Sequence, residues 1–105
     1  MKKANLFSDI PEVIEEELFD LIAQKDSVHI ERIVSHGHTS PKDGWFEQDK
    51  DEWVVLLKGA AKIEFVSEKP IVMVPGDHIN IAAHQKHKVV WTAPGVDTVW
   101  LAIHY

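Results

Sequence analysis

The sequence predicts an all-β fold, an antiparallel sandwich or barrel with one short helix in front of it, and three observations carry that prediction. From residue 28 onward, short runs of β-branched, apolar and aromatic residues follow one another at 28–35, 52–57, 62–66, 71–74, 78–81, 88–92 and 98–104. Turn formers separate them: the stretch 37–44 with Pro41, then Lys58-Gly59, Lys69-Pro70, Pro75-Gly76-Asp77 and Pro94-Gly95. The spacing leaves no room for helical crossovers between parallel strands, so neighbours must pair antiparallel. At 105 residues the chain suffices for one hydrophobic core and is too short for two.

The first quarter obeys a different period. Between residues 9 and 24 the apolar side chains Ile14, Leu18, Leu21 and Ile22 recur at helical spacing, which places them on one stripe. Ser8 or Asp9 can cap such a helix, Pro11 suits its first turn, and Glu12, Glu15, Glu16 and Glu17 suit its positive end. The expected organisation is a helical arm over residues 1–27 and a β body over residues 28–105.

Composition narrows the chemistry. The chain has no Cys, which removes disulfides, thiolate metal sites and cysteine nucleophiles together. Any metal would be held by imidazole, carboxylate or amide oxygen, and seven His make that worth tracing. Eleven Lys and Arg against seventeen Asp and Glu give a formal charge of -6, which argues against a nucleic-acid partner. No apolar segment approaches the roughly 20 residues of a membrane span, and acidic residues follow Lys2 and Lys3 closely. A cytoplasmic protein without membrane partners is the expectation.

Two clusters hold the polar residues of interest. In the first, a strand at 44–48 leads through an acidic turn into the strand that opens at Glu52, so period two puts Phe46, Gln48, Glu52, Val54 and Leu56 on one face. A carboxylate on an apolar face costs several kcal/mol, roughly, unless a cation or hydrogen-bond donors offset it. In the second, Pro75-Gly76-Asp77 turns into one strand and His87 opens the next, sharing its side with Val89 and Trp91. A neutral imidazole so placed is a good metal ligand or proton carrier. Trp53, Trp91 and Trp100 fall inside strand patterns and suit a core, whereas Trp45, Phe46 and Trp91 could also wall a pocket beside the polar groups.

The order Glu52, six residues, Gly59, then Pro75-Gly76-Asp77, a strand ending Ile81-Ala82-Ala83, and His87 resembles the small single-domain cupins of the conserved-barrel type over about residues 30–104. That resemblance implies a cupin-type antiparallel barrel, the double-stranded β-helix or jelly roll. It also implies a site in the barrel mouth for a divalent metal (Zn, Fe, Mn or Ni) and a small molecule. Glu52, Gly59 and His87 fill the family's Glu, Gly and second-motif His. Phe46 and Gln48 stand where the family's HxH motif has its two His, Ala82 replaces the usual Pro, and His84 the usual Gly. The candidate ligand set is Gln48, Glu52 and His87, completed by His38 of the His36-Gly37-His38 stretch or by His84. Small cupins host isomerases, epimerases, lyases and dioxygenases, so the resemblance carries no single reaction. A metal-dependent enzyme, a binding or sensing module without turnover, and a barrel serving only interaction all stay open. Cupins commonly pair through an edge strand, so a homodimer is expected, with residues 28–34 as the edge.

Overall fold

In the computed structural model, which describes residues 1–105, the chain forms eight strands and no helix. They are β1 (Leu18–Lys25), β2 (Val28–Ser35), β3 (Glu52–Lys58), β4 (Ala61–Phe65), β5 (Ile71–Met73), β6 (His78–Ile81), β7 (His87–Thr92) and β8 (Thr98–His104). A five-stranded sheet in the order β1-β2-β8-β3-β6 faces a three-stranded sheet in the order β5-β4-β7. Every pairing is antiparallel. No helix is long and apolar enough to cross a membrane.

Alternation builds the core. On β3 the buried positions are Glu52, Val54 and Leu56, and on β4 they are Ala61, Ile63 and Phe65. With Met73, Ile81, Trp100 and Ala102 these apolar residues form one cluster between the sheets. A fully buried Leu or Ile stabilises the fold by roughly 1.5–3 kcal/mol. Two turns hold the arrangement. Gly59, at φ +89°, joins β3 to β4 so tightly that a Cβ there would lie 2.4 Å from Thr98 Oγ1 and 2.8 Å from Thr98 Cα. In the Pro75-Gly76-Asp77 turn the Asp77 carboxylate accepts from the Val74 amide at 2.9 Å, while the Gly76 amide donates to the Leu56 carbonyl at 2.8 Å.

The N-terminal helix does not form, and this corrects the reading of residues 9–24. Residues 18–25 are instead strand β1, paired with β2 from Leu18 opposite Val34 to Lys25 opposite Val28. An isolated helix of that length is marginal in water, whereas a strand satisfies the backbone groups that the outer side of β2 would otherwise leave open. Arg32, the chain's only Arg, reinforces the choice. It donates to Asp20 Oδ2 from Nε at 3.0 Å and from Nη2 at 2.7 Å, and its Nη1 donates to the Leu6 and Ser8 carbonyls at 3.1 and 2.7 Å. The expected edge moves as well: β2 lies between β1 and β8, so the free edges of this sheet are β1 and β6.

The strand expected at 44–48 shrinks to a single bridge. Phe46 and His87 exchange backbone hydrogen bonds of 2.8 and 3.1 Å, and the chain on either side of Phe46 runs as loop.

Candidate functional site

Between the sheets, toward the end where β3 begins, lies a cavity of about 140 Å³. One water needs roughly 10–15 Å³ on such a measure, so the space admits a small organic molecule. Its walls include the aromatic side chains Phe19, Phe46 and Trp100, and its ionisable groups are Glu17, Glu31, Glu52, His87 and His104. Gln48 and Ser40 complete the polar lining.

Glu52 opens β3 on the inward parity of Val54 and Leu56 and is 7% exposed. Its Oε1 accepts from the Gln48 amide at 2.7 Å and stands 3.6 Å from His87 Nε2. Arg32, the one guanidinium that could have neutralised it, is engaged with Asp20 instead. His87 opens β7 and is 6% exposed, flanked by Phe46 and Phe65 at ring-centroid separations of 5.7 and 6.2 Å. Its Nδ1 lies 2.9 Å from the Gln85 carbonyl. A carbonyl only accepts, so Nδ1 carries a hydrogen and Nε2 of the neutral ring is left with a lone pair aimed at the Glu52 carboxylate. Two acceptors face each other unless a proton lies between them. Burial pushes the His87 value down, but Glu52 and the Gln85 carbonyl outweigh it and the net direction is up. Burial likewise pushes Glu52 up, and His87, His104 and Gln48 together carry it below its ordinary value.

A second pair faces the same space. Glu31 on β2 and His104 on β8 meet at 3.1 Å, and the hydrogen bond to Glu31 raises His104. Glu52 and His104 are direct cross-strand neighbours in the β3–β8 register. Glu17 reaches the cavity just ahead of β1, its carboxylate hydrogen-bonded by the Ser35 hydroxyl.

The structure thus unites Phe46, Gln48, Glu52 and His87, and it places the other expected site residues elsewhere. Trp91 is 39% exposed, with the Lys62 ammonium 5.7 Å from its ring centroid. The cause is an extra residue in β7: pairing passes from Lys62 opposite Trp91 to Ile63 opposite Val89, so Val90 is bulged and the parity that turns His87 and Val89 inward is carried on by Thr92. Trp45 alternates with Phe46 and lies under the Lys88 ammonium at 4.3 Å. His84 takes a left-handed turn conformation, φ 66°, and points to solvent with Glu47 at 3.7 Å. His38 is occupied with the chain itself: its Nδ1 accepts from the His36 amide at 2.9 Å and its Nε2 contacts the Glu15 carbonyl at 3.0 Å.

The donor set can be compared with what a divalent ion needs. Glu52 and His87 provide one carboxylate and one imidazole, and the Gln48 amide is already turned with its NH2 toward Glu52. No group of three or more His, Asp or Glu side chains is arranged to hold an ion. The residues present do not fit the three- or four-ligand shell such ions take.

Sequence reasoning missed Glu17, Phe19, Glu31, Trp100 and His104 as lining residues. For His104 the signal was present, because the alternation that buries Trp100 and Ala102 also turns residue 104 inward, yet it reads at first as a surface residue. Glu31 shares its parity with Ile33, another lining residue. Glu17 and Phe19 were hidden by the helical reading of their segment.

An all-β barrel of two facing antiparallel sheets, with a carboxylate and an imidazole converging in its interior, defines the class of protein. No family model and no curated protein matches the chain. Solved structures do. A protein from Ralstonia eutropha JMP134, provisionally named a mannose-6-phosphate isomerase, is 42% identical over 99% of this chain and 97% of its own, with a TM-score of 0.93. A cupin superfamily protein from Desulfitobacterium hafniense DCB-2 is 26% identical over 90% of this chain and 82% of its own, at 0.73. An RmlC-like cupin from Desulfovibrio desulfuricans shares the fold at a TM-score of 0.79 and 16% identity, covering 99% of this chain and 95% of its own. The chain belongs to the cupin superfamily.

Proposed function

We propose that the barrel cavity binds a small organic molecule and exchanges a proton with it through His87, with Glu52 as the counter-charge. The observation that carries this reading is the locked ring of His87. With Nδ1 held by Gln85, Nε2 is the atom left to move a proton, and it sits 3.6 Å from Glu52, too far for a closed hydrogen bond. As imidazolium it can protonate a ligand oxygen. As neutral base it can take a proton from a carbon next to a carbonyl, the C–H electron pair passing into an enolate, and return that proton to the neighbouring atom.

The isomerase half of the Ralstonia relative's provisional name suits such proton shuttling. The phosphate half suits this cavity poorly, since no Lys or Arg is among its lining residues. A second reading, a binding module without turnover, is favoured by Gln48: the amide stands where the resemblance has a metal-binding His, and it caps Glu52. Deuterium incorporation from D2O into hydroxyacetone and glycolaldehyde, followed by NMR, separates the two. Exchange faster than in buffer and lost in His87→Asn supports proton transfer; wild-type exchange equal to buffer leaves the binding module. A divalent ion at Glu52 and His87 would require further donors from the ligand or solvent, and metal analysis of untagged protein tests for one.

Homodimerisation through β1 is part of the same proposal. This edge strand exposes Phe19, Leu21 and Ile22 by 52%, 55% and 51%, an apolar row that a second β1 can cover. Sedimentation of the wild type and of Leu21→Lys, expected to be monomeric, checks it. The compartment we assign is the cytoplasm, which fractionation tests.

A further inference from the structure

Resting on the reading that the cavity holds a small molecule, we propose that its ligand carries a positive charge, an organic ammonium or kindred cation, and that anionic compounds are kept out. The lining brings together three carboxylates, Glu17, Glu31 and Glu52, with two imidazoles, His87 and His104. Even with both imidazoles protonated the carboxylates are in excess by one, and each proton lost from an imidazole widens the difference.

No Lys or Arg lines the cavity, although the Lys50 charge is near enough to act on His104. Arg32 is tied to Asp20 and to the Leu6 and Ser8 carbonyls, and the Lys50 ammonium donates to the Ser27 carbonyl at 2.8 Å.

The excess charge has an address. Glu52 faces His87, and Glu31 faces His104, so each of those carboxylates has an imidazole partner. Glu17 has a neutral one, the Ser35 hydroxyl. Phe19, two residues along, also lines the cavity, and Phe46 and Trp100 add further aromatic surface. Aromatic faces attract a cation and repel an anion, so the unpaired carboxylate and the rings favour the same sign of ligand. A phosphorylated or carboxylated molecule would bring like charge into a space with apolar walls, where water screens it poorly.

Three probes of nearly equal shape test this: choline, its uncharged carbon analogue 3,3-dimethylbutan-1-ol, and the anion 3,3-dimethylbutanoate. Binding is followed by two-dimensional NMR of the whole chain, reading the Trp100 indole and the His87 and His104 ring signals. Choline is expected to bind at least about tenfold more tightly than the alcohol, the size of a desolvated cation–aromatic contact, and the anion not at all. In Glu17→Gln the preference for choline over the alcohol should fall to about twofold. Equal or tighter binding of the alcohol overturns the charge preference and leaves the cavity a ligand site. Tightest binding of the anion does the same. If none of the three moves those signals, the ligand-site reading falls and takes the charge preference with it. A choline preference unchanged in Glu17→Gln overturns the assignment of the excess charge to that residue.

Discussion

The cavity holds two carboxylate–imidazole pairs built on different geometries. Glu31 and His104 belong to neighbouring strands of one sheet, β2 and β8, and close to 3.1 Å with side chains 16% and 14% exposed. Glu52 and His87 belong to opposite sheets, β3 and β7, and stop at 3.6 Å although they are drier, 9% and 7% exposed. Within a sheet, backbone hydrogen bonds fix the strand spacing and let the side chains finish the contact. Between sheets, the separation is set by packing of Val54, Ile63 and their neighbours, which stops short of closing the pair. The lesson is that closure consumes a pair's hydrogen-bonding capacity, whereas the pair left open keeps Nε2 of His87 accessible to a third molecule. The first pair holds β2 to β8, and the second faces the chemistry.

That contrast is most directly broken by removing the buried partner. Glu52→Ala strands both the Gln48 amide and the His87 imidazolium, and urea unfolding near pH 6 is expected to lose about 2–4 kcal/mol. Glu52→Gln should cost much less, because an amide NH2 can donate into the His87 lone pair while its oxygen still accepts from Gln48. Equal losses for the two variants would mean that the hydrogen bonds kept by the amide contribute nothing and that the charge is the whole effect.

The second test is pH. His87 is raised from an ordinary 6.5, so its contribution to stability is complete below that value and disappears as pH climbs through the raised one. Glu52 is lowered from an ordinary 4.5, so its contribution is complete above that value and disappears as pH falls through the lowered one. Stability from the open pair is therefore greatest between 4.5 and 6.5. Glu52→Gln should flatten the alkaline decline of unfolding free energy attributable to His87 and trim the share from His104, which Glu52 also raises, leaving the larger part of that share, which comes from Glu31. An alkaline limb identical in wild type and variant would place the whole decline on the other pair.

A third, smaller effect sharpens the question of donors. Gln48→His adds an imidazole beside Glu52 and His87, giving the open pair the third ligand it lacks. At Zn concentrations near ten times the dissociation constant the variant should gain about 1.4 kcal/mol in unfolding free energy, with little change in the wild type. Equal stabilisation of both proteins would show that Gln48 is no obstacle to an ion.

How much of this was legible beforehand depends on whether a residue's environment is set locally or by a partner strand. Glu52, Gly59 and His87 could be read because turn residues fix their phase: Gly59 admits no Cβ, and the Pro75-Gly76-Asp77 turn fixes the start of the next strand. Trp91 was misplaced because one bulged residue, Val90, reverses parity, and nothing in the local pattern marks a bulge. The stripe of Ile14, Leu18, Leu21 and Ile22 satisfied a helical period, but backbone pairing with β2 decided the outcome. His104 and Glu31 meet only because β2 and β8 are neighbours, 73 residues apart in sequence. Pairing over that distance has no local trace.

The smallest expected effect belongs to the closed pair. Glu31→Gln keeps a hydrogen-bond acceptor for His104 Nε2 and removes only the charge from a pair partly open to solvent. The loss should be about 0.5–1 kcal/mol, with NMR titration of the His104 ring showing its value brought down toward 6.5. Salt supplies the check on cause, since a half-screened ion pair weakens as ionic strength rises, whereas a hydrogen bond to the remaining amide oxygen does not. Wild type should therefore lose part of its advantage over Glu31→Gln in high salt, while the difference between wild type and Glu52→Ala stays nearly constant because that site is drier. If the two differences respond to salt alike, burial does not separate the pairs, and the distinction between a structural and a chemical one must rest on His87 Nε2 alone.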